Sequence, residues 1–431
     1  MRKIYLGILT IGLFFNLGLA QEDVAIEKKY TKEIDRLAKA KKVKAAFSYI
    51  ENQKNETTEN HITLTEILAP PFKEDKRGVA FSKMLEEAGV DSLWTDKVGN
   101  VIGLRKGTSG TSGYVGIDAH LDVVFPEGTD VTVKKMGDTL KAPGIGDDTR
   151  ALANLISMLK AMNKADIKTE KDVLIVGSVG EEGLGDLRGM KYIFNESGMD
   201  IDSWIAIDGG SMGRLSNAGL GSKRYKLVVK GKGGHSWGAF GLANPHHALG
   251  KAIDLFSQSA WDYTSGDISK TSFNVGRIGG GTSVNSIPFE SWMEVDMRAI
   301  SPKNLDEIEA IFKSSVEKAI KEYNASGVAG EVTYELIKIG DRPSGELSAD
   351  VPLVQRSMAA TEYFGATPSL GRGSTNINIP VSKGIPAVCI GRGGSGGGAH
   401  SLHEWYINDE PSEESIKLAL LITLAQAGLS K

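Results

Sequence analysis

The feature that most constrains the fold of this 431-residue chain is a regular alternation of short apolar runs with helical segments, which begins at residue 114. Apolar runs of strand length occupy residues 114–117, 173–176 and 204–207, and a segment with helical spacing occupies residues 149–165. This alternation predicts an α/β fold with a layered sheet. Polar residues that can carry chemistry follow the predicted strands directly, at the edge where open α/β sheets bind ligands.

A different pattern interrupts this alternation between residues 224 and 339. Its elements follow the order β-α-β-β-α-β, which is that of the ferredoxin-like split motif. They occupy residues 225–230, 245–260, 271–276, 292–298, 304–323 and 331–339. The first pattern then resumes with a helix, a strand and a terminal helix at residues 357–364, 386–390 and 413–427. We therefore predict a catalytic domain in two parts, residues 21–223 and 340–431, with an α+β domain inserted between them.

The first twenty residues have the composition of a secretory signal peptide. Arg2 and Lys3 precede an apolar run at residues 4–19, and small residues stand at positions 18 and 20. This pattern predicts cleavage after Ala20 and a periplasmic or secreted protein; the alternative is an uncleaved N-terminal anchor. No later stretch is long and apolar enough to predict a stable membrane span. Residues 30–52 have helical spacing and many lysines, which predicts a solvated amphipathic helix.

The composition excludes several classes of partner and site. The formal net charge of −4 provides no basic footprint for nucleic acid. Cys389 is the only cysteine, so the exported protein would have no internal disulfide. Because Cys389 lies within an apolar run, we predict a buried small residue in a strand rather than a nucleophile.

Two short motifs place candidate ligands near the first predicted strands. His120 and Asp122 form a His-x-Asp pair at the end of a strand, where an imidazole can bind a metal and a carboxylate can orient it. The segment Gly-Ile-Gly-Asp-Asp, ending in Asp147 and Asp148, stands directly before a helix. Either aspartate can cap that helix; alternatively, a carboxylate in such a rigid loop can bridge two metal ions.

The other candidates are acids and a histidine farther along the chain. Glu181 and Glu182 are adjacent at the end of an apolar strand, and neighbouring carboxylates repel unless a cation or a proton separates them. Asp208 follows the next strand, and His400 follows a glycine-rich run. This set of imidazoles and carboxylates suits zinc, and cobalt or manganese less well. Two divalent ions about 3.5–4 Å apart could share one carboxylate of the set.

In content and order these motifs resemble the zinc exopeptidase and amidohydrolase family of peptidase T, glutamate carboxypeptidase, aminoacylase, acetylornithine deacetylase and succinyl-diaminopimelate desuccinylase. The resemblance extends over nearly all of the chain after residue 20 and is closest to peptidase T-like members. It implies a layered, phosphorylase/hydrolase-like catalytic domain with a ferredoxin-like lid. It also implies that His120 and Asp208 bind one ion, that Glu182 and His400 bind a second, and that Asp147 bridges the two ions. Asp122 would orient His120, and Glu181 would act as the general base. A cis peptide bond commonly follows the bridging aspartate.

The inserted domain, residues 224–339, resembles the lid of this family, which usually also forms a homodimer. His235 matches a lid histidine that reaches a neighbouring subunit's site and donates to an oxyanion. Asn285 and Arg298 match positions that contact substrate, although Arg298 could equally pair with Asp296 or Glu294. Asn376 stands near the substrate where relatives often carry aspartate.

The resemblance implies an exported exopeptidase that hydrolyses short peptides at two divalent metal ions, most favourably zinc, with Glu181 as general base. An alternative substrate class is N-acyl amino acids, which would make the protein a deacylase. A third reading is an inactive, metal-containing peptide-binding protein. The intact ligand set and Glu181 argue against that reading, because a binding protein has little need for a base.

Overall fold

The computed structural model describes residues 24–430. The predicted signal peptide, residues 1–20, lies outside the described residues. The helices are α1 (Lys28–Lys39), α2 (Lys41–Asn52), α3 (Lys54–Thr65), α4 (Asp75–Ala88), α5 (Thr149–Lys164), α6 (Arg188–Asn195), α7 (Pro245–Thr264), α8 (Pro302–Asn324), α9 (Pro352–Tyr363), α10 (Asn378–Ser382) and α11 (Glu410–Ala427).

The strands are β1 (Ser92–Thr95), β2 (Val101–Arg105), β3 (Tyr114–His120), β4 (Lys134–Met136), β5 (Thr139–Lys141), β6 (Asp172–Ser178), β7 (Ile201–Ile207), β8 (Arg214–Gly219), β9 (Gly221–Lys230), β10 (Gly234–His235), β11 (Thr271–Gly280), β12 (Ser286–Ile287), β13 (Glu290–Ala299), β14 (Thr333–Arg342), β15 (Gly345–Glu346), β16 (Ser369–Gly373), β17 (Ala387–Ile390), β18 (Ser395–Gly397) and β19 (Trp405–Ile407).

The largest sheet has nine strands, in the order β1-β2-β6-β3-β7-β17-β8-β15, with β16 paired to β8. Its centre is parallel, because β3 pairs in parallel with β6 and β7, and β17 pairs in parallel with β7. The pairs β1–β2, β2–β6 and β8–β17 are antiparallel. The predicted α/β fold class is therefore confirmed, as a mixed sheet.

The central strands are buried on both faces, which explains why they read as continuous apolar runs. On β6, Val173 and Ile175 pack into one core, while Leu174 and Val176 pack into the other. Helices α5, α9 and α11 cover the first core, and α6 and α10 cover the second. Cys389 is fully buried in the second core, as predicted.

The N-terminal helical region differs from the prediction. Residues 30–52 form two helices, α1 and α2, which meet at Ala40 in an extended conformation. The prediction of one helix is therefore wrong, but its amphipathic character is confirmed, because Ile34, Leu37 and Ile50 are buried in the first core. The lysine-rich faces stay exposed, and the apolar stripes pack against α5, α9 and α11.

Four of the six strands of the inserted region form their own antiparallel sheet, in the order β11-β13-β9-β14, and β10 pairs with β12. This is the strand order of the ferredoxin-like split motif. Helices α7 and α8 cover one face around a separate core that includes Phe256 and Phe312. Among residues 24–430, no helix has both the length and the apolar character needed to cross a membrane.

Gly116 lies at the centre of the large sheet, directly against the ring of Trp204. A Cβ atom added at Gly116 would lie 2.1 Å from two ring atoms of Trp204. The indole Nε1 of Trp204 in turn donates to the buried Asp118 carboxylate at 2.6 Å. This close approach requires glycine at position 116.

We expect Gly116→Ala to lower the free energy of unfolding by about 1–3 kcal/mol, because the ring must move away from its hydrogen bond. Chemical denaturation monitored by Trp fluorescence measures the change. Gly250→Ala in α7 is the control, since no atom lies within 4 Å of the added Cβ; it should be neutral or stabilise by up to about 1 kcal/mol. Equal stability of the two variants would contradict the proposed clash.

Candidate metal centre

Three neighbouring parallel strands end in polar residues at the same edge of the large sheet. His120 is the last residue of β3, Asp208 directly follows β7, and Glu181 and Glu182 follow β6 by a short turn. The strand order β6-β3-β7 therefore brings residues that are up to 88 positions apart in the chain to one place. This is the expected location for a site in an open α/β sheet.

Two loops complete this cluster. Asp147 lies in the loop before α5, and His400 in the loop before β19. The structure places candidate ligand atoms within 4.8 Å of one another in three overlapping groups. These groups are His120, Asp147, Asp148 and Asp208; His120, Glu181 and Glu182; and Asp147, Glu182 and His400. Asp147 belongs to the first and the third group, which is the geometry expected of a bridging carboxylate.

The hydrogen bonds of His120 determine which of its nitrogens can bind a metal. Its Nδ1 lies 3.0 Å from the carbonyl oxygen of Asp122, and a carbonyl can only accept, so Nδ1 carries a proton. In the neutral ring, Nε2 then presents a lone pair, and it lies 3.1 Å from Oδ1 of Asp147. Two lone pairs at this distance require a proton or a cation between them.

His400 repeats this arrangement on the other side of Asp147. Its Nε2 lies 3.2 Å from Oδ2 of Asp147 and 3.1 Å from Oε1 of Glu182. Hydrogen bonds with these two carboxylates raise the pKa of His400 to about 10 in the protein alone. Three donor atoms thus converge on one point, and the donor set fits a divalent cation.

The buried acids of the centre carry more negative charge than the protein balances. Burial raises the pKa of Glu181 to about 8, and Arg342 offsets this only partly. Burial and then the charge of Asp147 raise the pKa of Asp208. Burial likewise raises the pKa of Asp148 well above its ordinary value. A bound divalent cation would supply the missing positive charge, so these residues fit a metal site.

Asp122 positions two parts of the centre. Its main-chain carbonyl orients His120, whereas its carboxylate Oδ1 is 3.7 Å from His120 Nδ1. The carboxylate accepts from the backbone N–H groups of Glu181 at 3.0 Å and Glu182 at 2.7 Å. The main-chain carbonyl of Asp122 therefore orients His120, whereas its side-chain carboxylate fixes the turn that carries Glu181 and Glu182.

Glu404 holds the loop that carries Asp147, a role that sequence reasoning missed. Its buried carboxylate accepts from the N–H groups of Gly144 at 2.7 Å, Gly146 at 2.8 Å and Asp147 at 2.9 Å. The Arg392 guanidinium donates to the Gly146 carbonyl on the same loop. Burial raises the pKa of Glu404 to about 7, opposed by these backbone donors. The only feature of the sequence that could have indicated this role is the position of Glu404 four residues after His400.

Arg342 contacts the predicted general base. It is the last residue of β14, and its Nη1 donates to Oε1 of Glu181 at 3.1 Å while Nη2 donates to the Glu181 carbonyl. Nη1 also lies 3.2 Å from Oγ of Ser374. No motif marks Arg342 in the sequence. Strand β14, the last strand of the antiparallel sheet, therefore ends on the residue that contacts Glu181.

Asn376 does not line the metal centre. It is buried, and its Nδ2 donates to Oδ2 of Asp118 at 2.5 Å and to Oγ of Ser178 at 2.8 Å. Its amide thus helps to satisfy the buried Asp118 carboxylate, whose pKa burial raises to about 6. This geometry gives Asn376 a structural role, and the predicted contact with substrate finds no support in it.

The three residues of the inserted domain that were predicted to contact the substrate or its oxyanion also lie outside the cluster of candidate ligands. Arg298 donates to Asp296 at 2.7 Å, which is the ion pair considered as its alternative. His235 is exposed, and its Nδ1 accepts from the Trp237 N–H at 3.2 Å. Asn285 lies beside it, because its carbonyl accepts from the N–H of Ser236 at 3.0 Å. The structure brings His235 and Asn285 together on paired loops.

We expect Glu404→Gln to weaken metal binding by about tenfold to a hundredfold, since an amide cannot accept all three loop N–H groups and the loop that carries Asp147 loses its support. Competition with a chromogenic chelator measures the affinity. Glu127→Gln, at an exposed position, removes the same charge and should leave the affinity unchanged. Wild-type affinity in Glu404→Gln would show that the loop holds its conformation without this carboxylate.

Comparison with known proteins is consistent with this site. The model of peptidase family M20/M25/M40 matches residues 116–424, which contain all of the candidate ligands. The uncharacterized protein YqjE of Bacillus subtilis (strain 168) is 25% identical over 333 residues, 75% of this chain and 83% of that protein.

Solved structures with the same fold are more distant in sequence. The aminopeptidase PepT from Bacillus cereus ATCC 10987 aligns with a TM-score of 0.66 at 19% identity, covering 86% of this chain and 99% of its own. The di-peptidase Dug1p from Saccharomyces cerevisiae aligns with a TM-score of 0.70 at 14% identity, covering 89% and 98%. The metallo-carboxypeptidase Sso-CP2 from Sulfolobus solfataricus aligns with a TM-score of 0.68 at 16% identity, covering 86% and 99%. The chain therefore belongs to peptidase family M20/M25/M40 and is a metal-dependent peptidase or amidohydrolase.

Proposed function

We propose that the protein hydrolyses the amide bond of short peptides at a centre of two divalent metal ions, with Glu181 as general base. The observation that carries this proposal is the position of Asp147 between two ligand groups, each containing one histidine. His120 and Asp208 would hold one ion, and Glu182 and His400 the other. The imidazole and carboxylate donors favour zinc, with cobalt or manganese as alternatives. When bound, such ions polarise the scissile carbonyl and make water acidic enough to lose a proton near neutral pH.

Glu181 is placed to move that proton. It is buried next to the ligands, yet its carboxylate hydrogen bonds to Arg342 rather than to either histidine. Its raised pKa suits a group that must take a proton from attacking water and then give it to the leaving amine. Arg342 stabilises the ionised form in which Glu181 begins the reaction, and it fixes the direction of the carboxylate.

A panel of substrates and metals tests the function directly. We expect the metal-free protein to be inactive and to regain peptide hydrolysis with zinc, cobalt or manganese. Di- and tripeptides compared with N-acetyl amino acids distinguish a peptidase from a deacylase. We propose peptides as the substrates because the similar structures include an aminopeptidase, a di-peptidase and a carboxypeptidase. Absence of hydrolysis with two ions bound would favour a binding protein.

We expect Glu181→Gln to lower kcat by at least about a thousandfold, because glutamine cannot accept the proton. The substitution keeps the size of the side chain and an oxygen for Arg342. Elemental analysis should find the same metal content as in the wild type, which separates loss of the base from loss of the centre. Substantial residual turnover would require another base.

We also propose that the protein acts outside the cytoplasm. The support is the sequence of residues 1–20, with its two basic residues, apolar run and small residues before position 21. Mass spectrometry of the protein from a bacterial host should find Gln21 as the first residue. A mature chain that retains Met1 and residues 2–20 would contradict cleavage.

The inserted unit is proposed to act as a lid and to form a homodimer. Its edge strand β11 offers unpaired backbone groups for a second copy. His235 and Asn285 stand together on exposed loops, where they could reach a substrate after closure or in a neighbouring subunit. Sedimentation velocity tests the dimer, and loss of kcat in His235→Ala without loss of metal tests the role of the lid.

A further inference from the structure

A groove of about 460 Å³ lies between the hairpin β4–β5 and the loop that follows His400. Its walls include Lys134 and Lys141 on the hairpin and His403 on the loop. Pro143 on one wall is four residues before Asp147, and His403 on the other is three residues after His400. Because consecutive Cα atoms are about 3.8 Å apart, the backbone of each wall lies within about 15 Å of a candidate ligand.

The two walls are held together rigidly. The N–H of Ala142 donates to the carbonyl of Glu404 at 3.2 Å, and the Glu404 carboxylate accepts from the loop between Gly144 and Asp147. Strand β5 also pairs with β19, which follows His400 in the chain. A ligand in the groove would thus lie at a fixed position relative to the metal ligands.

Two lysines face each other across this hairpin. Lys134 on β4 is the direct cross-strand partner of Lys141 on β5, so both side chains lie on one face. Like charges in this position are unfavourable unless an anion lies between them. One acid lines the groove, Asp130, which accepts from the N–H of Thr132 in its own turn. Hydrogen bonding with Thr132 and then the charge of Lys134 lower the pKa of Asp130. Within residues 24–430, no salt bridge within 4.0 Å joins Asp130 to either lysine.

We propose that this groove binds a carboxylate of the substrate, and that the enzyme consequently prefers peptides with an acidic side chain next to the scissile bond. The inference rests on the proposed function, because the scissile amide must lie at the metal centre. Both lysines are exposed, so their attraction for a carboxylate is modest and depends on salt.

Kinetics on matched dipeptides tests the proposal. The substrates are Ala-Glu, Ala-Gln and Ala-Gln-amide, which separate an acidic side chain from the α-carboxylate as the bound group. The variants are Lys134→Gln, Lys141→Gln and their combination. Lys135→Gln is the control, because Lys135 is an exposed neighbour on β4 that pairs with Leu140 and points to the opposite face.

We expect the wild type to prefer Ala-Glu over Ala-Gln, and this preference to weaken with salt. The double variant should raise KM for Ala-Glu about three- to tenfold at unchanged kcat, and leave Ala-Gln unaffected. If instead both free acids lose affinity and only the amide is unaffected, the groove binds the α-carboxylate. An unchanged preference in the double variant, or an equal loss in Lys135→Gln, overturns the proposal.

Calorimetry separates failure of this inference from failure of the proposed function. Ala-Glu and Ala-Gln are titrated into zinc-loaded Glu181→Gln, with and without the two lysine substitutions. A preference for Ala-Glu that disappears with the lysines supports the groove even if no peptide is hydrolysed by the wild type. Equal binding of both dipeptides overturns the groove, whether or not the wild type hydrolyses them.

Discussion

Mutual repulsion among buried carboxylates is the constraint on which this structure depends. Asp147, Glu182 and Asp208 lie close together beside two histidines, and burial raises the pKa of Glu182 and Asp208. Two arginines lie beside these acids: Arg214, at the start of β8, donates to the main-chain carbonyl of Asp208 at 2.6 Å, and Arg342 forms an ion pair with Glu181. The charge of Arg214 offsets the repulsion only partly, because the pKa of Asp208 remains raised. Cations bound between these acids would remove the repulsion, so metal binding and stability of this region are coupled.

The fold provides this crowded centre with support from several directions. Parallel strands β3, β6 and β7 deliver ligands to one edge, and the carboxylates of Asp122 and Glu404 fix the turns that carry the remaining ligands. Each supporting carboxylate accepts from backbone N–H groups. This pattern orients the ligands without placing further side chains in the reaction space.

The sequence predicted the parts of this site that follow from local patterns. His120 and Asp208 could be identified because each ends an apolar strand, and parallel neighbours bring strand ends together. The break between helices α1 and α2 at Ala40 could not be predicted, because no glycine or proline stands there and tertiary packing determines its position. Asn376 was assigned to substrate contact from the resemblance alone, and its buried position depends on Asp118, 258 positions earlier. Glu404 and Arg342 likewise act through partners that are distant in the chain.

The contacts of Glu404 have a consequence for the order in which the molecule is completed. The loop that carries Asp147 is held by a residue 257 positions later, on the far side of the inserted unit. A nascent chain that ends before position 400 contains His120, Asp147, Glu182 and Asp208, but neither the clamp nor the last ligand. In the proposed two-ion centre, a chain that lacks residues 400–404 has at most one ion site with all of its ligands, and full metal affinity requires these residues as well.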